Sequence, residues 1–351
     1  MAQAEPRSVT QRGVLALDRA FDQVRRRVRD RLGRHAPLEV VPYRGYGTAD
    51  RVAVRGRVMV RTGRTSPAAT DVWLRNVWRT VRRFLTYEMP DVAVRVRMGT
   101  AVAATRTDGE GYFRVDMPGP SATGWVSAGV EVERAALVAA EILVPPPTSR
   151  FLVVSDIDDT ILPTGANRTT TVIRTTLLGN ARTRAPFTGI AELYQALAAG
   201  QTGDERNPVF YVSSSPWNLY DFMVEFMAGH GLPAGPILLR DLSLERRRFI
   251  QGGQEDHKLA EIRTILATYP ELPAVLVGDI GQKDPEIYQA IASEHPGRIR
   301  AIYLRDVGAG AAIEQRALAI EGAAGVPVVL AEHTSEFRKH AATVGLIAGQ
   351  R

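Results

Sequence analysis

The sequence predicts an α/β protein in which a parallel-sheet domain follows a smaller all-β domain, and three observations carry that expectation. Beyond Arg150, short apolar runs alternate with stretches of helical period, which is how a parallel sheet with covering helices is encoded. Upstream of it the apolar residues fall at every second position, the period of half-buried strands. The two patterns meet at Pro145-Pro146-Pro147, a stiff connector that cannot continue a hydrogen-bonded ladder.

The chain has 351 residues, 45% of them hydrophobic, enough for a large core and more than one domain of ordinary size. It contains no cysteine, which excludes disulfides, zinc–thiolate sites and thiol nucleophiles and is compatible with a reducing cytoplasm. The formal charge of +6 rests on arginine, the only lysines being Lys258, Lys283 and Lys339. Such a balance attracts polyanions, and from charge alone nucleic acid and an anionic membrane are equally good candidates, as is a merely solvated surface. The opening residues Met1 to Arg7 lack the apolar core of a signal peptide. No apolar run reaches the ~20 residues that span a bilayer, so a soluble, cytoplasmic protein is expected.

Three segments follow from the patterning. Residues 1–46 read as a basic amphipathic helical segment: Val14, Leu17, Phe21, Val24, Val28 and Leu32 share one face, and Arg19, Arg25, Arg26, Arg27, Arg29, Arg31 and Arg34 occupy the other. That face suits anionic headgroups or plain solvent. Residues 47–147 read as a β-sandwich with a helical insert. Strands are expected over Val52 to Val60, Val92 to Met98, Ala101 to Thr105, Tyr112 to Asp116, Val126 to Val132 and Leu137 to Val144, and the insert over Val72 to Leu85. Its turn Thr107-Asp108-Gly109-Glu110-Gly111 and the Tyr112-Phe113 that follow resemble the hairpin of transthyretin-like and carboxypeptidase-regulatory-like sandwiches. Residues 148–351 supply the parallel sheet. Helices are predicted at Ile190 to Ala199, Leu219 to Gly229, His257 to Thr268, Pro285 to Glu294 and Ser335 to Gly345. Strands are predicted at Pro208 to Ser213, Ile237 to Arg240, Ala274 to Gly278, Ile299 to Leu304 and Val326 to Leu330.

The first strand of that sheet, Phe151-Leu152-Val153-Val154-Ser155, runs into Asp156, Asp158, Asp159 and Thr160. In an open parallel sheet the ligand crevice lies beyond the carboxyl ends of the strands, so Asp156 is the first residue to reach it. Carboxylates gathered at one strand end repel one another unless a cation is present, and Mg²⁺ is the natural hard, oxygen-seeking partner. A calcium loop of the EF-hand type fails on spacing, because Ile161 and Asn167 stand where Gly and Glu are required.

Three more features end at the same edge. One strand delivers Ser213, Ser214 and Ser215, another delivers Gly278-Asp279 with Asp284 five residues on, and Lys258 opens a helix between them. Hydroxyls, an ammonium and a helix N-terminus all favour an anion such as a phosphoryl group. Taken singly, each has an ordinary explanation: a turn serine, a solvated lysine, and a helix cap at Asp284-Pro285. The ordered set is what gives them weight.

That set resembles the haloacid-dehalogenase-like phosphohydrolase superfamily, whose motifs map to Asp156, Asp158 and Thr160, then Ser213, then Lys258, then Gly278, Asp279 and Asp284. Within the superfamily, the blocks at Asp156 to Ile161, Tyr211 to Tyr220, Leu238 to Asp241 and His257 to Leu259 are similar to the catalytic domain of the actin-patch-associated phosphatidate phosphatase family. Ser214 stands where that pattern has Asn. The resemblance implies a Rossmann-like domain and a Mg²⁺-dependent reaction in which Asp156 is the nucleophile and Asp158 the acid and base. It implies a cation held by Asp156, the Asp158 carbonyl and Asp279, with Asp284 as a further ligand or a hydrogen-bond acceptor behind it. Ser213, Ser214, Lys258 and Thr160 would hold the substrate, Thr160 as a hydroxyl that shapes the loop, with Asp159 a spacer.

The gaps Ile161 to Asn207 and Pro216 to Asp256 leave room for only a helix or two over the site. An open site of that kind, with Arg168, Arg174, Arg182 and Arg184 near its mouth, suits a large substrate such as a lipid headgroup or a protein phosphoryl group. The expected function is therefore a phosphatidate phosphatase meeting anionic phospholipid at the inner membrane surface, with no nucleic acid and with protein partners unknown. The alternatives are a phosphatase for another phosphomonoester, a soluble metabolite or phosphoprotein, and a membrane- or protein-binding module with a residual site. Four intact motifs weigh against the last.

Overall fold

The computed structural model describes residues 36–60, 89–163, 185–240, 257–306 and 325–349. The helix expected at Val14 to Leu32, the insert at Val72 to Leu85 and the four arginines of the first gap lie outside them.

The N-terminal strands are β1 (Leu38–Gly47), β2 (Arg51–Val60), β3 (Ala93–Met98), β4 (Ala101–Arg106), β5 (Tyr112–Pro118), β6 (Gly124–Val132) and β7 (Val138–Val144). They form one sheet in the order β4-β3-β6-β7-β1-β2-β5, antiparallel except where β1 runs parallel to β7. Its two edges, β4 and β5, lie against each other, so the sheet is a nearly closed barrel and not the two-layer sandwich expected. Alternation alone does not distinguish these, since both put every second residue inward. Here Val52, Val54, Val94, Val96, Val115 and Val130 fill a single interior, and curling the sheet shelters edges that a flat one would leave open.

A second difference concerns β1, whose residues fall almost wholly within the segment read as helical. Pro42, Gly45 and a register irregularity between Tyr43 and Tyr46 interrupt the alternation, yet the strand pairs with β2 from Leu38↔Val60 to Gly47↔Val52. The turn before β5 forms as expected, with the Asp108 carboxylate accepting from the amides of Glu110 and Tyr112, each at 2.9 Å.

The remaining elements are β8 (Leu152–Ser155), α1 (Ile190–Ala199), β9 (Val209–Pro216), α2 (Tyr220–Gly229), β10 (Ile237–Arg240), α3 (His257–Thr268), β11 (Ala274–Asp279), α4 (Asp284–Glu294), β12 (Ile299–Arg305), β13 (Val328–Ala331) and α5 (Thr334–Thr343). The six strands are all parallel, in the order β10-β9-β8-β11-β12-β13. Successive residues of each strand enter different cores. Val153, Tyr211, Val277 and Tyr303 pack with α1, α2 and α5 on one face, while Val154, Phe210, Leu276 and Ile302 pack with α3 and α4 on the other. With both faces covered, the strands read as continuous apolar runs. The strand order reverses at β8, with β9 on one side and β11 on the other, which is where an open α/β sheet leaves a crevice.

The barrel shares buried surface with this sheet. Val41, Tyr43 and Met59 belong to the first of its cores, and Tyr46 and Leu143 to the second. Tyr46 meets Phe210 edge-on at 5.3 Å, and the Tyr269 hydroxyl donates to the Gly47 carbonyl at 3.1 Å. The triple-proline connector thus joins two sheets whose side chains interlock.

Candidate active site

The crevice is built from the ends of β8, β9 and β11 and the first turns of α3 and α4. At the end of β8, the Asp156 amide donates to the Val277 carbonyl at 2.9 Å, fixing the residue against β11 before the chain leaves the sheet. A tight loop follows. The Asp159 amide reaches the Leu162 carbonyl at 2.8 Å, and Asp159 itself sits at φ 56°. Aspartate tolerates that left-handed conformation better than most residues, so the residue read as a spacer turns the chain.

Beneath the loop lies a buried ionic cluster. The Lys258 Nζ is 2.9 Å from Asp156 Oδ1 and 2.7 Å from Asp284 Oδ1, and the lysine side chain is only 5% exposed. The other oxygen of Asp284 accepts from the Asp279 amide at 3.3 Å. Asp284 is therefore no ordinary helix cap: it is the first residue of α4, fully buried, and committed to the cluster. Gly278 makes that approach possible, since a Cβ there would stand 2.5 Å from Asp284 Oδ2 and 2.8 Å from the Tyr288 ring.

Burial dominates the electrostatics. It pushes the Asp156 carboxyl well above the usual range, with Lys258 opposing and Asp284, Asp158 and Asp279 reinforcing the rise. Asp279 is pushed up to about 7 by burial and by the neighbouring Asp284 charge. Burial alone would weaken the Lys258 ammonium, but the Asp156 and Asp284 carboxylates outweigh it and hold the lysine firmly protonated.

Asp158 is held differently. Its Oδ2 accepts from the Ser213 hydroxyl at 2.8 Å and the Ser215 hydroxyl at 3.0 Å. Burial raises its pKa, opposed first by the Ser213 hydrogen bond, then by Lys258 and Ser215. Strand alternation explains the choice of serines: residues 213 and 215 share a face of β9, while Ser214 is exposed. The structure thus brings together Asp156, Asp158, Ser213, Lys258, Asp279 and Asp284, with the Thr160 hydroxyl 3.4 Å from Asp156 Oδ2, and leaves Ser214 outside the hydrogen-bonded set.

Three further residues support the site. Ser215 was discoverable from the two-residue period starting at Ser213. Arg305 ends β12 beside Asp279, almost wholly buried, and donates to the Thr160 carbonyl at 3.1 Å, the Glu332 carbonyl at 2.8 Å and the Thr334 hydroxyl at 2.9 Å. An arginine closing an apolar strand was its only sequence signal. The buried Tyr194 hydroxyl meets Ser155 Oγ, which also donates to the Asp156 carbonyl; nothing in the sequence marked that tyrosine.

The residues fit a hard divalent cation. Asp156, Asp279 and Asp284 each offer a carboxylate oxygen within 4.8 Å of the others. Among the described residues Lys258 is the one ammonium bound to this group, and the buried Asp279 Oδ2 has no hydrogen-bond partner. Several carboxylates against one lysine leave negative charge that an oxygen-coordinated ion neutralises.

Comparison with known proteins gives these residues a context. Residues 151–306 match the family described as phosphatidate phosphatase APP1, catalytic domain, which contains every carboxylate, serine and lysine named above. The chain is 31% identical over 153 residues to phosphatidate phosphatase APP1 of Saccharomyces cerevisiae, covering 43% of this chain and 25% of that protein. It is 29% identical over 160 residues to an uncharacterized protein of Schizosaccharomyces pombe, covering 44% and 25%. The chain thus aligns with about a quarter of the length of these relatives. Among solved structures, a carbohydrate acetylesterase from Xanthomonas citri superposes with a TM-score of 0.34 and 12% identity over 86% of this chain and 73% of its own, too distant to bear on fold or function.

Proposed function

We propose that the chain, whose residues 151–306 match the family described as phosphatidate phosphatase APP1, catalytic domain, hydrolyses phosphatidate to diacylglycerol and phosphate through a phosphorylated Asp156. The observation that carries this reading is the division of labour between two carboxylates two residues apart. Asp156 lies on the Lys258 ammonium, 2.9 Å away, while Asp158 is held by two hydroxyls.

In the first step an Asp156 oxygen attacks phosphorus, an oxygen–phosphorus bond forms, and the bond to the glycerol oxygen breaks. Asp158, whose burial favours the protonated form, gives its proton to the departing alkoxide. In the second step Asp158 takes a proton from water as that water attacks phosphorus, and free phosphate leaves Asp156 restored. Lys258 orients and neutralises the phosphoryl oxygens, and with substrate bound the Ser213 hydroxyl, which in the structure donates to Asp158, turns to them while Ser215 keeps Asp158 in place. Asp156, Asp279 and Asp284 would hold a Mg²⁺ ion, with the Asp158 carbonyl as a further oxygen donor, and the ion would supply the positive charge that lets one anion approach another.

The reversal of strand order at β8 supports placing this domain in the haloacid-dehalogenase-like superfamily. The substrate reading rests on the yeast relative's name and on the basic residues of the sequence, which suit an anionic phospholipid surface at the cytoplasmic face of a membrane. Among the described residues no helix is long and apolar enough to cross a bilayer.

The test is phosphate release, with and without Mg²⁺, from phosphatidate in mixed micelles and from soluble phosphomonoesters. Mg²⁺-dependent turnover of phosphatidate supports the reading. Turnover of soluble esters alone overturns the lipid substrate, and full activity in chelator overturns the metal.

A further inference from the structure

The segment Trp217-Asn218-Leu219-Tyr220 follows directly on the strand that carries Ser213 and Ser215, and the barrel grips it at three points. The Tyr43 ring stacks on Trp217 with centroids 4.1 Å apart and planes 21° from parallel, and meets Tyr220 at 4.7 Å. The Arg44 amide donates to the Tyr220 hydroxyl at 2.7 Å. Arg57 donates from Nη1 to Asn218 Oδ1 and from Nε to the Glu110 carbonyl, each at 3.0 Å, with its guanidinium 4.4 Å from the Tyr112 ring centroid.

Arg57 stands out within its own strand. The β2 residue Arg51 is exposed and Arg55 half-buried, whereas Arg57 is 5% exposed. Burying a guanidinium is unfavourable unless its donors are met, and here Asn218 and Glu110 meet them. Its contacts also cross the limit of the family match. Tyr43, Arg44, Arg57, Glu110 and Tyr112 lie outside residues 151–306, and Trp217, Asn218 and Tyr220 lie inside.

We infer that Arg57 and Tyr43 of the barrel are positioning residues for the hydrolytic site. They fix Asn218 and Trp217, and through the end of β9 they fix the Ser213 and Ser215 hydroxyls that aim Asp158. The inference rests on the phosphatase reading for its kinetic consequence. The bonds of Ser213 and Ser215 to Asp158, at 2.8 and 3.0 Å, depend on where β9 ends, and the guanidinium fork sets that point more rigidly than an exposed side chain does.

The experiment uses the full chain carrying Arg57→Ala, Asn218→Leu, Asn218→Asp or the Arg57→Ala/Asn218→Leu pair. It reads kcat, KM, melting temperature and hydrogen exchange of the 209–220 peptide amides. Arg57→Ala and Asn218→Leu should each lower kcat about tenfold, the scale of one such hydrogen bond, with KM little changed. The double variant should lose no more than either single one, and Asn218→Asp, which keeps the acceptor, should retain most of the wild-type rate. Amide exchange in the peptide should rise wherever kcat falls. A folded Arg57→Ala variant with unchanged kcat and unchanged exchange overturns the inference, as does a lowered melting temperature with kcat intact. Should Arg57→Ala fail to fold, Asn218→Leu against Asn218→Asp decides it by the same readouts. Wild-type protein without phosphatase activity overturns the phosphatase reading instead, and the exchange measurement then decides the coupling alone.

Discussion

Asp156 and Asp158 are two residues apart, yet one is bound by a buried ammonium and the other by neutral hydroxyls. Asp156 shares its chamber with Asp279 and Asp284 against a single lysine, while Asp158 faces Ser213 and Ser215 across the crevice. Chain direction alone produces the difference. Asp156 still belongs to the sheet, through its bond to Val277, and points among strand ends rich in acid. Asp158 lies past the first bend of the loop and meets the hydroxyl-bearing end of β9. The lesson is that identical side chains two positions apart are separated in environment by what the neighbouring strands deliver, one set among carboxylates against a lysine and one set against hydroxyls.

The largest effect that tests this contrast is expected from Asp156→Asn, which keeps the shape and removes the proposed nucleophile; phosphatase turnover should fall by about four orders of magnitude or more. Asp158→Asn should cost about 10²- to 10⁴-fold, and a phosphorylated enzyme should persist longer than in wild type because its water lacks a base. Equal residual rates and no such accumulation would break the division of roles. Next come the serines: Ser215→Ala should slow turnover up to about tenfold by removing one donor to Asp158, whereas Ser214→Ala should change it less than about twofold. Steady-state assays of the two variants side by side decide whether strand alternation assigns the hydroxyls.

The smallest effect is thermodynamic and concerns the acidic side. Asp279, at about 7 when folded and about 3.9 when unfolded, binds its proton more tightly in the folded protein. Its contribution is present below the unfolded value and is lost as pH rises from about 4 through about 7. Cation-free protein should therefore lose melting temperature over that window, about 2–4 °C per kcal/mol, and Mg²⁺ should restore it at about pH 8 while adding little at about pH 5. Equal stabilisation by Mg²⁺ at both values would contradict the placement of the ion on this cluster.

Most of the parallel sheet was legible because its strands are covered on both faces, which leaves continuous apolar runs such as Ala274 to Val277 that end abruptly at functional residues. Asp156 and Asp279 were legible for the same reason, each standing one step beyond such a run, and Asp284 by its place five residues after Asp279. Closure of the barrel was not, because inward and outward alternation is the same in a sandwich and in a curled sheet, and the meeting of β4 with β5 is set by cumulative twist. Strand β1 was hidden by Pro42 and the irregularity at Tyr43 to Tyr46, which break the period without breaking the pairing. Arg305, Tyr194 and Arg57 escaped because their partners are backbone carbonyls, hydroxyls and amide oxygens distant in sequence, and such groups leave no pattern around the residue itself. The Trp217 to Tyr220 block was recognisable as distinctive, yet its contacts with Tyr43, Arg44 and Arg57 lie more than a hundred residues away.

The central claim is that Asp156 carries the phosphoryl group. Its most direct test is mass analysis of the peptide containing residues 151–162 after acid quenching of the Asp158→Asn variant during turnover of phosphatidate with Mg²⁺. The account predicts one phosphoryl group on Asp156, absent when substrate or Mg²⁺ is omitted. Phosphate release with no modification of that peptide, or a phosphoryl group found on Ser213 or Ser215 instead, would contradict it.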